Sequence, residues 1–192
     1  MDSVAITKGS FDDPWQVAAK MVSSQMILDV AGGMGPPPPG SFLFHRSGRV
    51  LKLKIVNQSA VAWTGFEIEL RSVFGLPSGP DGLSFGKING TNNNFELFPP
   101  LEAPFDSGLF ETDCKIQNGF LSPESKRRFP CSDRFQQVSF DGASLEDKLT
   151  FSAGAVPAGK DVTFTFLVTE NDPANIFFFI FLRPQSAPNG PK

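Results

Sequence analysis

The sequence predicts an all-β fold: a two-sheet antiparallel β-sandwich with a short N-terminal helix and a long disulfide-pinned loop. Three observations lead there. Apolar and polar residues alternate in several runs, with Leu51, Leu53 and Ile55 set against Lys52 and Lys54, and Val162, Phe164, Phe166 and Val168 set against Asp161, Thr163 and Thr165; a period of two is the mark of a strand with one buried face. Seventeen Pro and 18 Gly spread along the chain favour many turns. In "VAWTGFEIEL" the apolar set also changes phase, from Val61 and Trp63 to Phe66, Ile68 and Leu70. One additional residue at Thr64-Gly65 would do this, because a β-bulge flips the inward set and bends the strand, and Gly is its natural occupant.

The first forty residues, 1–40, read as a helical segment followed by a Pro-rich linker. In "FDDPWQVAAKMVSSQMIL", Asp12 or Asp13 can cap a helix that has Pro14 at its first position. Trp15, Ala19, Val22 and Met26 recur at helical spacing, which predicts a helix over about 14–27; "MILDV" could close as a short strand instead. "AGGMGPPPPG" continues neither element and reads as a stiff spacer.

The β-sandwich domain spans 41–192. "SFLFH" and "RVLKLKIVN" alternate, "NQSA" turns, and the phase-switching strand follows. "QQVSF" and "DKLTFSAG" are further strands, and "AGK" turns into "DVTFTFLV". "NIFFFIFLRP" is apolar on both faces and predicts a central strand covered on both sides, with the opposing sheet as one cover and the N-terminal helix as a candidate for the other. Between these groups, 75–130 has no sustained periodicity. Its many Phe (Phe95, Phe98, Phe105, Phe110, Phe120 and Phe129) argue against disorder and for an ordered excursion with short strands.

Composition narrows the function classes. A chain of 192 residues suits one domain with a real core, and 40% hydrophobic with 19% charged residues is globular. The net charge of -3 argues against a nucleic-acid surface. No segment approaches the ~18 apolar residues of a membrane helix, and residues 1–20 do not read as a signal peptide, so an exported form would have lost its leader.

Candidate chemistry is sparse. His45 is the only histidine and has no acidic residue near it in sequence, which leaves a Ser-His pair without support. Glu67 and Glu69 share a strand face about 6–7 Å apart, within reach of a paired-carboxylate geometry, although solvent-facing residues of a half-buried strand look the same. Two Cys and one distant His do not make a four-ligand metal site. If a metal binds, calcium fits best, on Asp106, Glu111 and Asp113 in "FDSGLFETD", without EF-hand spacing. No cofactor is otherwise expected. Sequons at Asn57 and Asn89 matter only in a eukaryotic secretory pathway, and Lys126–Arg128 reads as a solvated basic turn.

"VNQSAVAWTGFEIEL", "DGLSF", "DKLTFSAGAVPAGKDVTFTFLV" and "FFIFLRPQSAP" resemble, in that order, exported bacterial β-sandwich proteins of the PEP-CTERM sorting class. The resemblance covers roughly 45–185 apart from the Phe-rich excursion, and it implies export to the periplasm, cell surface or extracellular matrix. The sorting tail of that class is absent, since the chain ends "RPQSAPNGPK".

The expected function is a non-catalytic surface or matrix protein that works through protein–protein contacts or self-assembly. Twenty-one Phe and no Tyr favour dry protein contacts over a wet sugar platform. Phe95, Phe98, Phe105 and Phe110 are the candidate partner-binding residues. A carbohydrate-binding module is the alternative, and a carboxylate-dependent hydrolase stands behind it.

Cys114 and Cys131 are either two free thiols or a disulfide, and the disulfide is the expectation. It would close a loop of about 18 residues and constrain the unfolded chain by about 3 kcal/mol, and it favours an oxidising compartment. Mass spectrometry of the unreduced protein should show two hydrogens missing; alkylation of both thiols without reductant rejects the pairing.

Overall fold

A computed structural model describes residues 2–7, 15–31, 47–71, 84–91, 94–98, 110–111, 128–140, 148–170 and 177–187. Burial alternates with a period of two along 16–21, 26–30, 51–57, 148–151 and 161–164. The strands are β1 (Ser3–Thr7), β2 (Trp15–Met21), β3 (Met26–Ala31), β4 (Ser47–Asn57), β5 (Trp63–Arg71), β6 (Ser84–Thr91) and β7 (Asn94–Phe98). They continue with β8 (Phe110–Glu111), β9 (Arg128–Phe129), β10 (Cys131–Ser132), β11 (Phe135–Phe140), β12 (Lys148–Gly154), β13 (Asp161–Glu170) and β14 (Phe177–Ser186).

Two sheets result. The first runs β1-β2-β4-β13-β6-β7, with β10 also on β13 and β9 on β6; the second runs β3-β14-β5-β12-β11-β8. Neighbours are antiparallel except β2 and β4, which pair in parallel from Trp15↔Leu51 to Met21↔Asn57. The described residues contain no helix long and apolar enough to cross a membrane.

The helix expected over 14–27 is two strands. Val17, Ala19 and Met21 are buried while Gln16, Ala18 and Lys20 are exposed; after a bend at Ser23-Ser24, Met26, Leu28 and Val30 are buried while Ile27 and Asp29 are exposed. Ala19, Val22 and Met26 fit a helical stripe only because the bend resets the count between two alternating runs. Pairing with β4 and β14 then decides, since tertiary contacts outweigh the weak helix preference of Ala, Lys and Met. Asp2 caps this bend, its carboxylate accepting from the N–H of Val22 at 2.7 Å and from the Ser23 hydroxyl.

The phase switch in β5 is a bulge. Between Gln185 and Ser186 of β14 the partner on β5 moves from Gly65 to Trp63, leaving Thr64 as the additional residue. Trp63 and Phe66 both reach the core as a result, and Thr64 is exposed. A second switch escaped the sequence reading: Phe135 and Val138 of β11 are both buried, three apart, and opposite the break on β12 lies Ala153 with φ 54.

The excursion contributes strands to both sheets. β6 pairs β13 only over Ser84–Gly86, then continues with β7 and β9, while the chain from Arg128 to Ser132 pairs first β6 and then β13. The first sheet therefore forks, with residues 128–132 as the wedge. Pro130 stands where the ladder changes partner, and having no N–H it leaves no donor stranded there. Arg128, expected in a basic turn, lies in β9.

The core between the sheets centres on Phe164 of β13. Its ring lies 4.8 Å from Phe66, 4.7 Å from Phe151 and 6.0 Å from Phe135, all three from the second sheet. At the same end Asn57 is fully buried. Its amide donates to the carbonyls of Val61 and Val156, both at 2.9 Å, and its Oδ1 accepts from the Ser59 N–H at 3.0 Å and hydroxyl at 2.6 Å. Its nitrogen is thus fully engaged in the folded protein. The turn into β13 follows Pro157, with Gly159 at φ 74 and Lys160 N–H returning to Pro157 O at 3.1 Å, the positive φ a type II turn requires at that place.

Two glycines give a test. A Cβ on Gly154 would sit 2.1 Å from the Arg134 carbonyl oxygen and 2.8 Å from Phe135 Cα, both backbone, whereas one on Gly159 meets nothing within 4 Å. Gly154→Ala should lower stability by about 2–3 kcal/mol or more, and Gly159→Ala by about 1–2 kcal/mol, the cost of the left-handed conformation. Urea unfolding of both variants checks the order; Gly159→Ala proving the worse would contradict this packing.

Candidate functional site

The outer face of the second sheet carries the densest set of charged side chains among the described residues, and the pairing register explains why. Once the bulge has turned Phe66, Ile68 and Leu70 inward, Glu67, Glu69 and Arg71 must face out. Register then sets Glu67 between Arg183 of β14 and Thr150 of β12, and Glu69 between Phe181 and Lys148.

Glu69 is the centre. It accepts from Arg71 Nε at 2.7 Å and from Arg183 Nη1 at 2.5 Å, and it is buried despite lying on the outer face. Burial pushes its carboxyl up, but hydrogen bonds and charge from Arg71 and Arg183 outweigh that and hold it below the usual carboxylate range. Glu67 accepts from Gln185 at 2.8 Å and lies 3.4 Å from Lys148 Nζ and 3.9 Å from Arg183. Arg183 also donates to Gln25 at 3.3 Å, tying the bend before β3 into the network.

The cations cover an aromatic ring as well. Arg71 Cζ stands 4.0 Å from the centroid of Phe181 and Arg183 Cζ 5.5 Å from it. Phe181 is only 4% exposed although it faces away from the core. The N-terminal helix expected as a candidate cover is absent from the described residues, and Arg71 and Arg183 lie over the ring with their flat guanidinium faces. β14 accordingly lies second from the edge of its sheet, between β3 and β5.

The carboxylates expected on one strand face are brought together, and the arrangement fixes what they can do. A carboxyl held between two guanidinium groups is an anion at neutral pH with no proton to give. Its lone pairs are turned toward fixed donors, so it braces the sheet and presents alternating charge to solvent.

The other sequence candidates fall differently. Phe95 and Phe98 lie in β7, and Phe110 and Glu111 in β8, where they pair Val138 and Gln137. Phe105, Asp106, Asp113, Cys114 and His45 lie outside the described residues. Among the described residues no group of three or more His, Cys, Asp or Glu could hold a metal ion. Cys131 is buried at the start of β10, and no free cysteine occurs among the described residues. The next residues form a clamp that the sequence did not signal: Asp133 accepts from Thr163 N–H at 2.8 Å, Ser132 Oγ from Arg134 N–H at 3.2 Å, and Arg134 Nε donates to Asp161 O at 3.1 Å.

No protein-family model matches the sequence, and neither the curated proteins nor the solved structures include a significant match to it.

Glu69→Gln should lower stability by about 1–2 kcal/mol at pH 7, since a neutral acceptor replaces a charge shared by two arginines. A folded-state pKa below the unfolded value means that the ionised carboxyl stabilises the fold above the unfolded value, and that this is lost as pH falls through the folded one. The difference between wild type and variant should therefore shrink below about pH 4. A pH series of urea midpoints measures it, and a gap that widens in acid would refute the assignment.

Proposed function

We propose that this chain is a non-catalytic β-sandwich module that acts through protein–protein contacts, as a subunit of a larger assembly or with copies of itself, and that the excursion 75–130 is the contacting part. The observation that carries the reading is how the excursion is rooted. β6 joins β13 and sends Phe85 into the core, 5.4 Å from Phe166; the 128–132 wedge rejoins the first sheet; and β8 joins the second sheet on β11. A segment anchored at its base on both sheets loses less freedom on binding than a free loop would. Its Phe and Pro content supplies apolar contact area at little rotamer cost.

Two further points support a binding role over hydrolysis or sugar recognition. Glu67 and Glu69, the best-placed carboxylate pair in the sequence, are engaged by Arg71, Lys148, Arg183 and Gln185. Phe181, the buried aromatic of the outer sheet face, is covered by Arg71 and so is withheld from stacking on a sugar ring. Export to the periplasm, cell surface or matrix belongs to the same proposal. It rests on the resemblance to PEP-CTERM-class sandwiches and on the expected Cys114–Cys131 disulfide.

Replacing Phe98 and Phe105 together with Ser tests the reading. The variant should keep the wild-type circular dichroism and melting temperature and lose association in size-exclusion chromatography or in pull-down from a bacterial envelope. If it melts much lower, those rings are core and the surface is misassigned. A wild-type chain that stays strictly monomeric and captures no partner would count against the function itself.

A further inference from the structure

We draw no further inference here: the strongest candidate, the exposed apolar patch of Val22, Val61 and Pro157 at the end of the sandwich where the chain turns from β2 to β3, from β4 to β5 and from β12 to β13, carries nothing because nothing in the structure shows what covers it.

Discussion

Three of the passages between the two sheets meet at one buried amide. The chain leaves the first sheet after β2 and again after β4, and it re-enters from the second sheet between β12 and β13. Asn57 touches all three. Its residue pairs Met21 in the parallel ladder, and Gln58 N–H donates to Met21 O at 2.8 Å. Its backbone N–H donates to Lys160 O at 2.8 Å and its carbonyl accepts from Gly159 at 2.7 Å. The side chain then closes the set onto Val61, Val156 and Ser59. Both amide hydrogens and the amide oxygen are used, which makes a fully buried polar group tolerable at this place. An apolar residue of similar size would take the partner from the Ser59 N–H and one of two donors from each of the Val61 and Val156 carbonyls, at about 1–3 kcal/mol for a group left unpaired. Aspartate would be worse, since it has no hydrogens to offer the two carbonyls.

The aromatic core follows from that fixed end. With the β4–β5 and β12–β13 passages tied together, Trp63 and Val156 exchange two backbone hydrogen bonds, at 3.0 and 2.9 Å. That sets where β5 begins. The bulge at Thr64 then allows Trp63 to pack at 5.6 Å on Phe66, and Phe66 to meet Phe164 across the sandwich. Without the additional residue, either Trp63 or the Phe66-Ile68-Leu70 series would face solvent, because a one-residue slip moves every side chain to the other face. Each ring pair around Phe164 adds about 0.5–1.5 kcal/mol beyond the area it buries. The preference for Phe over Tyr fits this centre, where a hydroxyl would need a partner that the dry space between the sheets does not provide.

What the sequence disclosed divides along the same physical line. Alternation located β4, β5, β11, β12 and β13, a run apolar on both faces located β14, and the bulge at Thr64-Gly65 and the turn at Gly159 were legible because each breaks a pattern or uses a glycine in a recognisable way. Of the N-terminal strands, β3 was legible only as the alternative strand reading of "MILDV", and β1 and β2 were not. A Pro after acidic residues is a helix signal, and seven alternating residues followed by a bend imitate helical spacing when read as one run. Only the ladders with β4 and β14 decide between the two, and those partners are distant in sequence. The fork at residues 128–132 was hidden for a similar reason, since two-residue strands have no period to detect. At the charged face the residue types were visible, but not their partners: Glu69 and Arg183 are 114 positions apart.

The outer face also explains how an apolar strand can lie beneath solvent. "FFFIFL" would expose Phe179 and Phe181 on any sandwich whose second sheet has no third layer above it. Guanidinium groups contribute to the burial of Phe181, because arginine can lay its flat face on a ring while its edge still donates to a carboxylate. The scheme needs an acceptor within reach of both arginines, and Glu69 is that acceptor: it lies directly across from Phe181 on β5, between Arg71 on its own strand and Arg183 two residues beyond Phe181 on β14. Removing the carboxylate would therefore release Arg71 from Glu69 and leave Arg183 held by Gln25 and Glu67, loosening the guanidinium cover on Phe181. On this face, then, one set of charges both pairs with itself and covers a ring, and Glu67 and Glu69 are engaged by Arg71, Lys148, Arg183 and Gln185.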